Sequence, residues 1–308
     1  MNSAVNTLLK EQCVEWQQCG ENYAALETVE VRNTQIEGYS FKVQFNPKRI
    51  QSSAAKVDPK SIKERKCFLC EANRPAVQRG IPFAAKSGNA YTILVNPFPI
   101  FKKHLTIPAV DHIDQRIDGK IADMLELAGC LTDYLIFYNG PKCGASAPDH
   151  FHFQAGNKGF LPIEMDIEAI LSSQAKQVAP DVYVLNNAAA HTIVCKSASI
   201  NTIICWFNQF YSKFRQITNS EEEPMLNLLA WVNNGHYHLV VYPRKTHRPS
   251  QFFAEGDANI LISPASIDLG GIFITPLEKD FSKLTETDIK DILQQITVTP
   301  DVFNKLIQ

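Results

Sequence analysis

The chain has 308 residues, 45% of them hydrophobic and 20% charged, with a formal net charge of −2 at pH 7. That length fits one large domain or two closely packed ones, and the near-zero charge gives no general attraction to nucleic acid or to an anionic membrane. No stretch approaches the ~20 consecutive apolar residues of a transmembrane helix. Neither nucleic acid nor a membrane is therefore expected as a partner, and any recognition of phosphate has to be local.

Within residues 3–27, Val5, Leu8, Leu9, Val14, Trp16, Tyr23 and Leu26 are apolar, and the early part predicts an amphipathic helix. Residues 28–45 alternate, with Val29, Val31, Phe41, Val43 and Phe45 apolar. They predict two strands joined by a turn at Glu37-Gly38. Residues 46–66 are polar and basic, ending Lys63-Glu64-Arg65-Lys66, and read as an exposed loop. Residues 90–97 read as a strand stopped by Pro97, and His104–Pro108 as a second strand. Over 113–133, Ile117, Ile121, Met124, Leu125, Leu127, Ala128 and Leu131 recur at helical spacing. Tyr134–Tyr138 reads as a buried strand, and 162–180 as a helix joining two halves, 1–160 and 161–308.

Of the eight cysteines, at 13, 19, 67, 70, 130, 143, 195 and 205, only Cys67 and Cys70 form a tight pair. This scatter suits a reduced, cytoplasmic compartment better than a disulfide framework, and Met1–Thr7 has neither the basic region nor the apolar run of a signal peptide.

The chemistry-bearing motif is His150-Phe151-His152-Phe153-Gln154, preceded by a turn rich in small residues, Gly140–Asp149. On a strand alternate side chains share a face, so His150, His152 and Gln154 are expected to project together while Phe151 and Phe153 anchor the core. Imidazole is a nucleophile near neutral pH, and a turn with free N–H groups cradles negative oxygens. With the turn before it, the motif resembles the histidine-triad superfamily. Glutamine in its third position is similar to the branch containing galactose-1-phosphate uridylyltransferase, diadenosine tetraphosphate phosphorylase and GDP-L-galactose phosphorylase. The strand, strand, helix, strand, turn, strand order is the layout that fold would have. The resemblance implies an α+β protein: two histidine-triad-like halves around mostly antiparallel sheet, with helices packed on it.

It further implies that His152 attacks the α-phosphorus of a nucleoside diphosphate sugar or dinucleoside polyphosphate. The resulting nucleotidyl-histidine is resolved by phosphate or a sugar phosphate. Gln154 can donate an amide N–H to a phosphate oxygen but is no general acid near pH 7. That suits a leaving group that is already a good anion. Gly144, Ala145 and Ser146 would donate to phosphates, and Arg49 is placed like an arginine of related phosphorylases, with Lys56 and Lys142 as further cations. Asn96-Pro97-Phe98 resembles the segment lining the nucleoside pocket of the uridylyltransferases, and Asn139 an asparagine that contacts the nucleotide. Asp149, between Pro148 and His150, puts a negative charge where phosphates are expected.

Two thiolates at Cys-x-x-Cys spacing can share a tetrahedral ion. Cys67-Phe-Leu-Cys70 also resembles the uridylyltransferase segment that supplies two zinc ligands, the others matching His112 and His150 here. A structural Zn²⁺ is thus implied, with a redox pair or two buried thiols as the alternative.

His104–His112 can be set beside His238–His247, suggesting internal duplication, with chance similarity as the alternative. Uridylyltransferases use a His-x-His where this chain has His236-Tyr237-His238 for a second metal. No acidic partner is identifiable in the sequence, so these two read as strand histidines. The expected function is nucleotidyl transfer of the phosphorylase type. A hydrolase of the same superfamily and a nucleotide-binding protein without turnover are the alternatives, and a homodimer stays open as the assembly.

Overall fold

A computed structural model describes residues 1–50, 58–185 and 189–308. The early helix is present as Asn2–Glu15, and a second, Gln17–Ala25, follows it after Trp16, whose backbone is extended. The hairpin around Glu37-Gly38 is present: β1 (Glu30–Ile36) pairs antiparallel with β2 (Tyr39–Phe45), and both turn residues have positive φ, 52° and 87°. The loop expected over 46–66 contains a short helix, Pro59–Glu64, started by the Asp58 side chain accepting from the Ser61 N–H. Lys56 lies outside the described residues.

The centre of the molecule is a ten-stranded sheet in the order β3-β4-β5-β7-β6-β11-β12-β10-β9-β8. Its first five strands in sequence are β3 (Gly80–Ala84), β4 (Ala90–Val95), β5 (His104–Pro108), β6 (Tyr134–Asn139) and β7 (His152–Asn157). The next five are β8 (Ala175–Ala179), β9 (Val182–Leu185), β10 (Ile193–Ser197), β11 (Leu226–Asn233) and β12 (His236–Pro243). In each set a helix follows the third strand, Ile121–Cys130 in the first and Ile200–Thr218 in the second, and the spatial order is the same. The two sets meet where β6 pairs antiparallel with β11.

This order corrects the internal alignment drawn from sequence. The strand beginning at His236 takes the position of β7, the strand that carries His152, and β10 takes that of β5. The matched segments at His104 and His238 are therefore not equivalent. The helix expected over 113–133 begins only at Ile121, and the one expected over 162–180 ends at Ser173 and is followed by β8.

Period-two burial sorts the central strands onto two cores. Leu105, Ile107, Ile136, Tyr138, Phe151 and Phe153 face one core with the helices Ile121–Cys130 and Ile200–Thr218. Phe137, Leu229, Trp231 and Val240 face the other. That second face is covered by the helices Pro162–Ser173 and Glu286–Ile296 and by a three-stranded sheet in which β13 (Ile272–Thr275) pairs parallel with β2. His104, Thr106, Asn139, His152 and Gln154 alternate with the first set, which puts them on the second face of the same strands.

Candidate functional site

Beside the ends of β5, β6 and β7 lies a cavity of about 440 Å³, lined among others by His152, Gln154, Asn139, Gly144, Ser146 and Arg49. Its volume lies within the range of small-molecule sites. His152 is only 3% exposed. Its Nδ1 is 2.8 Å from the carbonyl of His150. A carbonyl only accepts, so Nδ1 carries the proton and the Nε2 lone pair is left for chemistry. Burial pushes its pKa down to about 4, so the ring is neutral at physiological pH.

Gln154 is oriented from behind. The Ile100 N–H donates to Nδ1 of His104 (3.1 Å), which fixes the other nitrogen, Nε2, as the protonated one. That Nε2 lies 3.2 Å from Oε1 of Gln154, so the carboxamide oxygen accepts and its NH₂ is left for a ligand. His104 is fully buried, and burial holds its pKa down at about 3.

His150 does not line the cavity. The chain bends before β7, where the Phe151 N–H donates to Ile113 O and Ala109 N–H to Phe151 O. The His150 ring meets Ala109 and the Cys67–Cys70 pair instead. Its Nε2 lies 2.9 Å from the carbonyl of Ala109, and its Nδ1 faces Cys67 Sγ at 3.3 Å and Cys70 Sγ at 3.5 Å. His112 Nδ1 is 3.2 Å from Cys70 Sγ. One ligand atom from each of Cys67, Cys70, His112 and His150 lies within 4.8 Å of all the others. Zn–N and Zn–S bonds of about 2.0–2.3 Å set tetrahedral edges of roughly 3.3–3.8 Å, so the donor set fits a zinc ion. The carbonyl of Ala109 holds the proton on His150 Nε2, which leaves the Nδ1 lone pair facing the two thiols.

The turn before the strand presents Gly144 and Ser146 to the cavity, whereas Ala145 is buried and does not line it. Gly144 has φ +96°, and a Cβ there would sit 2.6 Å from Cβ of Ala265, so only glycine fits. Asp149 is paired: Arg65 Nη2 lies 2.8 Å from its Oδ1 and 3.2 Å from the carbonyl of Ser146. Arg65 lines the cavity with its guanidinium 4.8 Å above the ring of Phe68. Reading the chain missed Arg65, which looked like one member of a basic run. Lys142 is a surface residue paired with Glu222 at 3.2 Å and takes no part in the cavity.

Arg49 donates through Nη1 to Phe98 O (2.7 Å), and its buried Nε has no hydrogen-bond partner among the described residues. Burial lowers its pKa only to about 10, so it stays a cation beside the cavity. Asn96 braces this wall, its Nδ2 donating to Thr106 Oγ1 (2.9 Å) and its Oδ1 accepting from the Phe98 N–H (2.8 Å). Phe98 is half-buried and lines the cavity. Asn139 Oδ1 accepts from Asn227 Nδ2 (2.8 Å) and from the Ser266 N–H (2.9 Å). The far wall comes from Ser263, Ala265, Ile267, Asp268 and Ile274, a segment in which the sequence has no motif.

In the second half, His238 does have an acidic neighbour. Its Nε2 lies 3.3 Å from Glu168 Oε1, and its ring stacks on Trp231 at 5.0 Å. Glu168 also pairs with Lys196 at 2.6 Å, while His236 is exposed beside the carbonyl of Asn234. Among the described residues, the Cys67 group is the one cluster of three or more metal-ligating side chains, and all eight cysteines are free.

Residues 8–157 match the family described as Domain of unknown function (DUF4922). No curated protein matches the chain. Among solved structures, yeast Ap4A phosphorylase Apa2 superposes with a TM-score of 0.63 at 15% identity, covering 91% of this chain and 96% of that one. The chain has the fold of yeast Ap4A phosphorylase. The same phosphorylase in complex with Ap4A gives 0.58 at 15% identity, with 92% and 97% covered. Its complex with AMP gives 0.56 at 16%, with 94% and 96% covered. The expected α+β architecture thus holds along nearly the whole length of both chains. Among the described residues, no helix of this phosphorylase fold is long and apolar enough to cross a membrane.

Proposed function

We propose that this chain is a nucleotidyltransferase of the phosphorylase type, acting on a dinucleoside polyphosphate or a sugar nucleotide through a covalent nucleotidyl-His152. The observation that carries the reading is the tautomer of His152. Its Nδ1 proton is held by the carbonyl of His150, which leaves Nε2 unprotonated, and His152 lines a cavity shared with Gln154, Gly144, Ser146, Arg49 and Arg65. Nε2 forms a bond to the α-phosphorus as the bond to the bridging oxygen breaks, and the electron pair leaves with the nucleotide or sugar phosphate. Phosphate then attacks the same phosphorus, forming a nucleoside diphosphate and returning the lone pair to Nε2. Two displacements replace one difficult step. Arg65 and Arg49 would stabilise charge on the phosphates, and the Gln154 amide would donate to a non-bridging oxygen.

The likeness to a phosphorylase solved with Ap4A and with AMP supports a dinucleoside polyphosphate as the first substrate class to test. Gln154, which supplies no proton, favours transfer to phosphate over hydrolysis. Zn²⁺ held by Cys67, Cys70, His112 and His150 would be structural. It would tie the Cys67 segment, and with it Arg65 and Phe68, to the residue two before the nucleophile.

The test is intact-protein mass after incubation with diadenosine tetraphosphate and with GDP-, ADP- and UDP-sugars, for the wild type and His152→Ala. A nucleoside-monophosphate adduct on the wild type alone is the expected result. No adduct, with no phosphate-dependent loss of any substrate, would overturn the reading.

A further inference from the structure

β6 and β7 pair from Tyr134↔Asn157 to Phe137↔Gln154 and then part. Continued in register, the ladder would put Asn139 opposite His152. The side chain of Gln115 fills that gap. Its Oε1 accepts the His152 N–H at 2.7 Å, and its Nε2 donates to the His152 carbonyl at 3.0 Å and to the Asn139 carbonyl at 3.0 Å. The carboxamide has one acceptor and two donor hydrogens, and all three face backbone groups of these two residues. Gln115 is 1% exposed.

The segment carrying it is anchored on both sides. Gln115 N–H donates to Pro148 O (3.1 Å), Ile113 O accepts from Phe151 N–H (2.6 Å), and Ile117 N–H donates to the buried carboxyl of Glu223 (2.5 Å). On the other edge of β7, His152 lies opposite Pro108, which has no N–H to offer. Both backbone polar groups of His152 therefore bond to a single side chain.

We propose that Gln115 is the positioning residue of the nucleophile, its carboxamide acting as a surrogate peptide group that fixes the backbone of His152 at the open end of the β6–β7 pair. This rests on the nucleotidyl-transfer reading above. Gln115 does not line the cavity. Its effect is on where Nε2 stands relative to the phosphorus, and displacement of a reacting group by about 1 Å costs about 10²-fold in rate.

The experiment compares the wild type with Gln115→Met, which keeps the volume and removes all three bonds, and Gln115→Glu, which keeps the acceptor and loses both donors. Three quantities are read: amide hydrogen exchange at His152, nucleotide affinity by calorimetry, and the single-turnover rate of adduct formation. In Gln115→Met the His152 amide should lose protection while Phe153 and Gln154 keep theirs. Affinity should stay within about 3-fold, and adduct formation should slow by about 10²-fold. Gln115→Glu should retain the protection of the His152 amide and still be slow. A protected His152 amide in Gln115→Met overturns the clamp, and an unchanged adduct rate overturns the positioning role. An equal loss of affinity and rate makes Gln115 a structural residue only. Absence of any adduct on the wild type overturns the functional reading itself, and the positioning role with it.

Discussion

Nε2 of His104 and Oε1 of Gln154 lie 3.2 Å apart, and the proton between them belongs to His104, because the backbone N–H of Ile100 already donates to its other nitrogen. The direction of the Gln154 amide is therefore dictated by a residue outside the His-x-His-x-Gln motif.

The first prediction follows from that bond. His104→Ala should free the Gln154 carboxamide to rotate, lowering kcat by about 10- to 100-fold with KM changed far less, the pattern of an interaction made in the transition state. Steady-state kinetics on the substrate found by the mass experiment check it. A rise in KM with kcat intact would count against the orienting role. Deleting a fully buried ring should also lower stability by about 2–4 kcal/mol, measurable by urea unfolding.

Arg65 is held between Asp149 and the Ser146 carbonyl on one side and the ring of Phe68 on the other. Arg65→Ala should weaken nucleotide binding by about 10- to 100-fold, with a smaller loss for Arg65→Lys, which keeps the charge but not the planar fork. Affinity of the wild type should fall as salt is raised and that of Arg65→Ala should fall less. Calorimetric titration at two salt concentrations is the check, and equal salt dependence would show that Arg65 does not meet phosphate. Asp149→Asn should bind nucleotide no more weakly than the wild type, since it removes a negative charge from beside the site.

The Cys67, Cys70, His112 and His150 cluster predicts one zinc per chain by elemental analysis of protein purified without added metal. Cys67→Ser should lose the metal and melt several degrees lower, because folding free energy includes metal binding when no preformed site exists in the unfolded chain. A metal-free wild type with an unchanged melting temperature in chelator would refute the site.

Much of this site was legible because it lies on strands with period-two patterning. β4, β5 and β6 follow from apolar runs ended by Pro97, Pro108 and Gly140. His152 with Gln154 follows from the alternation with Phe151 and Phe153. The helix expected over 113–133 was too long because Ile117 fits helical spacing yet belongs to the segment that clamps β7, where Gln115 spends its polar atoms on residues distant in sequence. β3 was missed because Pro82 demotes a strand pattern, and such a proline is tolerated only at a sheet edge, where β3 lies. His150 was expected beside His152, but it does not line the cavity and its ring meets Cys67, Cys70 and His112, the group that the cysteine spacing pointed to. Arg65 and Glu168 owe their places to tertiary pairing, which no local pattern encodes.

Glu223 predicts how stability depends on pH. Its carboxyl is buried between the Tyr138 hydroxyl, 2.6 Å away, and the Ile117 N–H, and burial raises its pKa to about 7. In the unfolded chain a glutamate titrates near ~4.3. Between those values the folded state holds a proton that the unfolded state has lost, so this group stabilises below about pH 4 and loses that contribution as pH rises through 7. His104 has the opposite sign. Its folded pKa is about 3 against ~6.5 unfolded, so the unfolded state binds the extra proton and stability rises with pH across that window. Between pH 4.5 and 6.5, Glu223→Gln should therefore show a steeper rise of unfolding free energy with pH than the wild type, by up to ~1.4 kcal/mol per pH unit. His104→Ala should show a shallower one by a similar amount. Urea unfolding at half-unit pH steps measures both slopes. Parallel curves for the wild type and Glu223→Gln would mean that Glu223 is ionised in the fold, and that the buried Tyr138–Glu223 pair carries a negative charge at neutral pH.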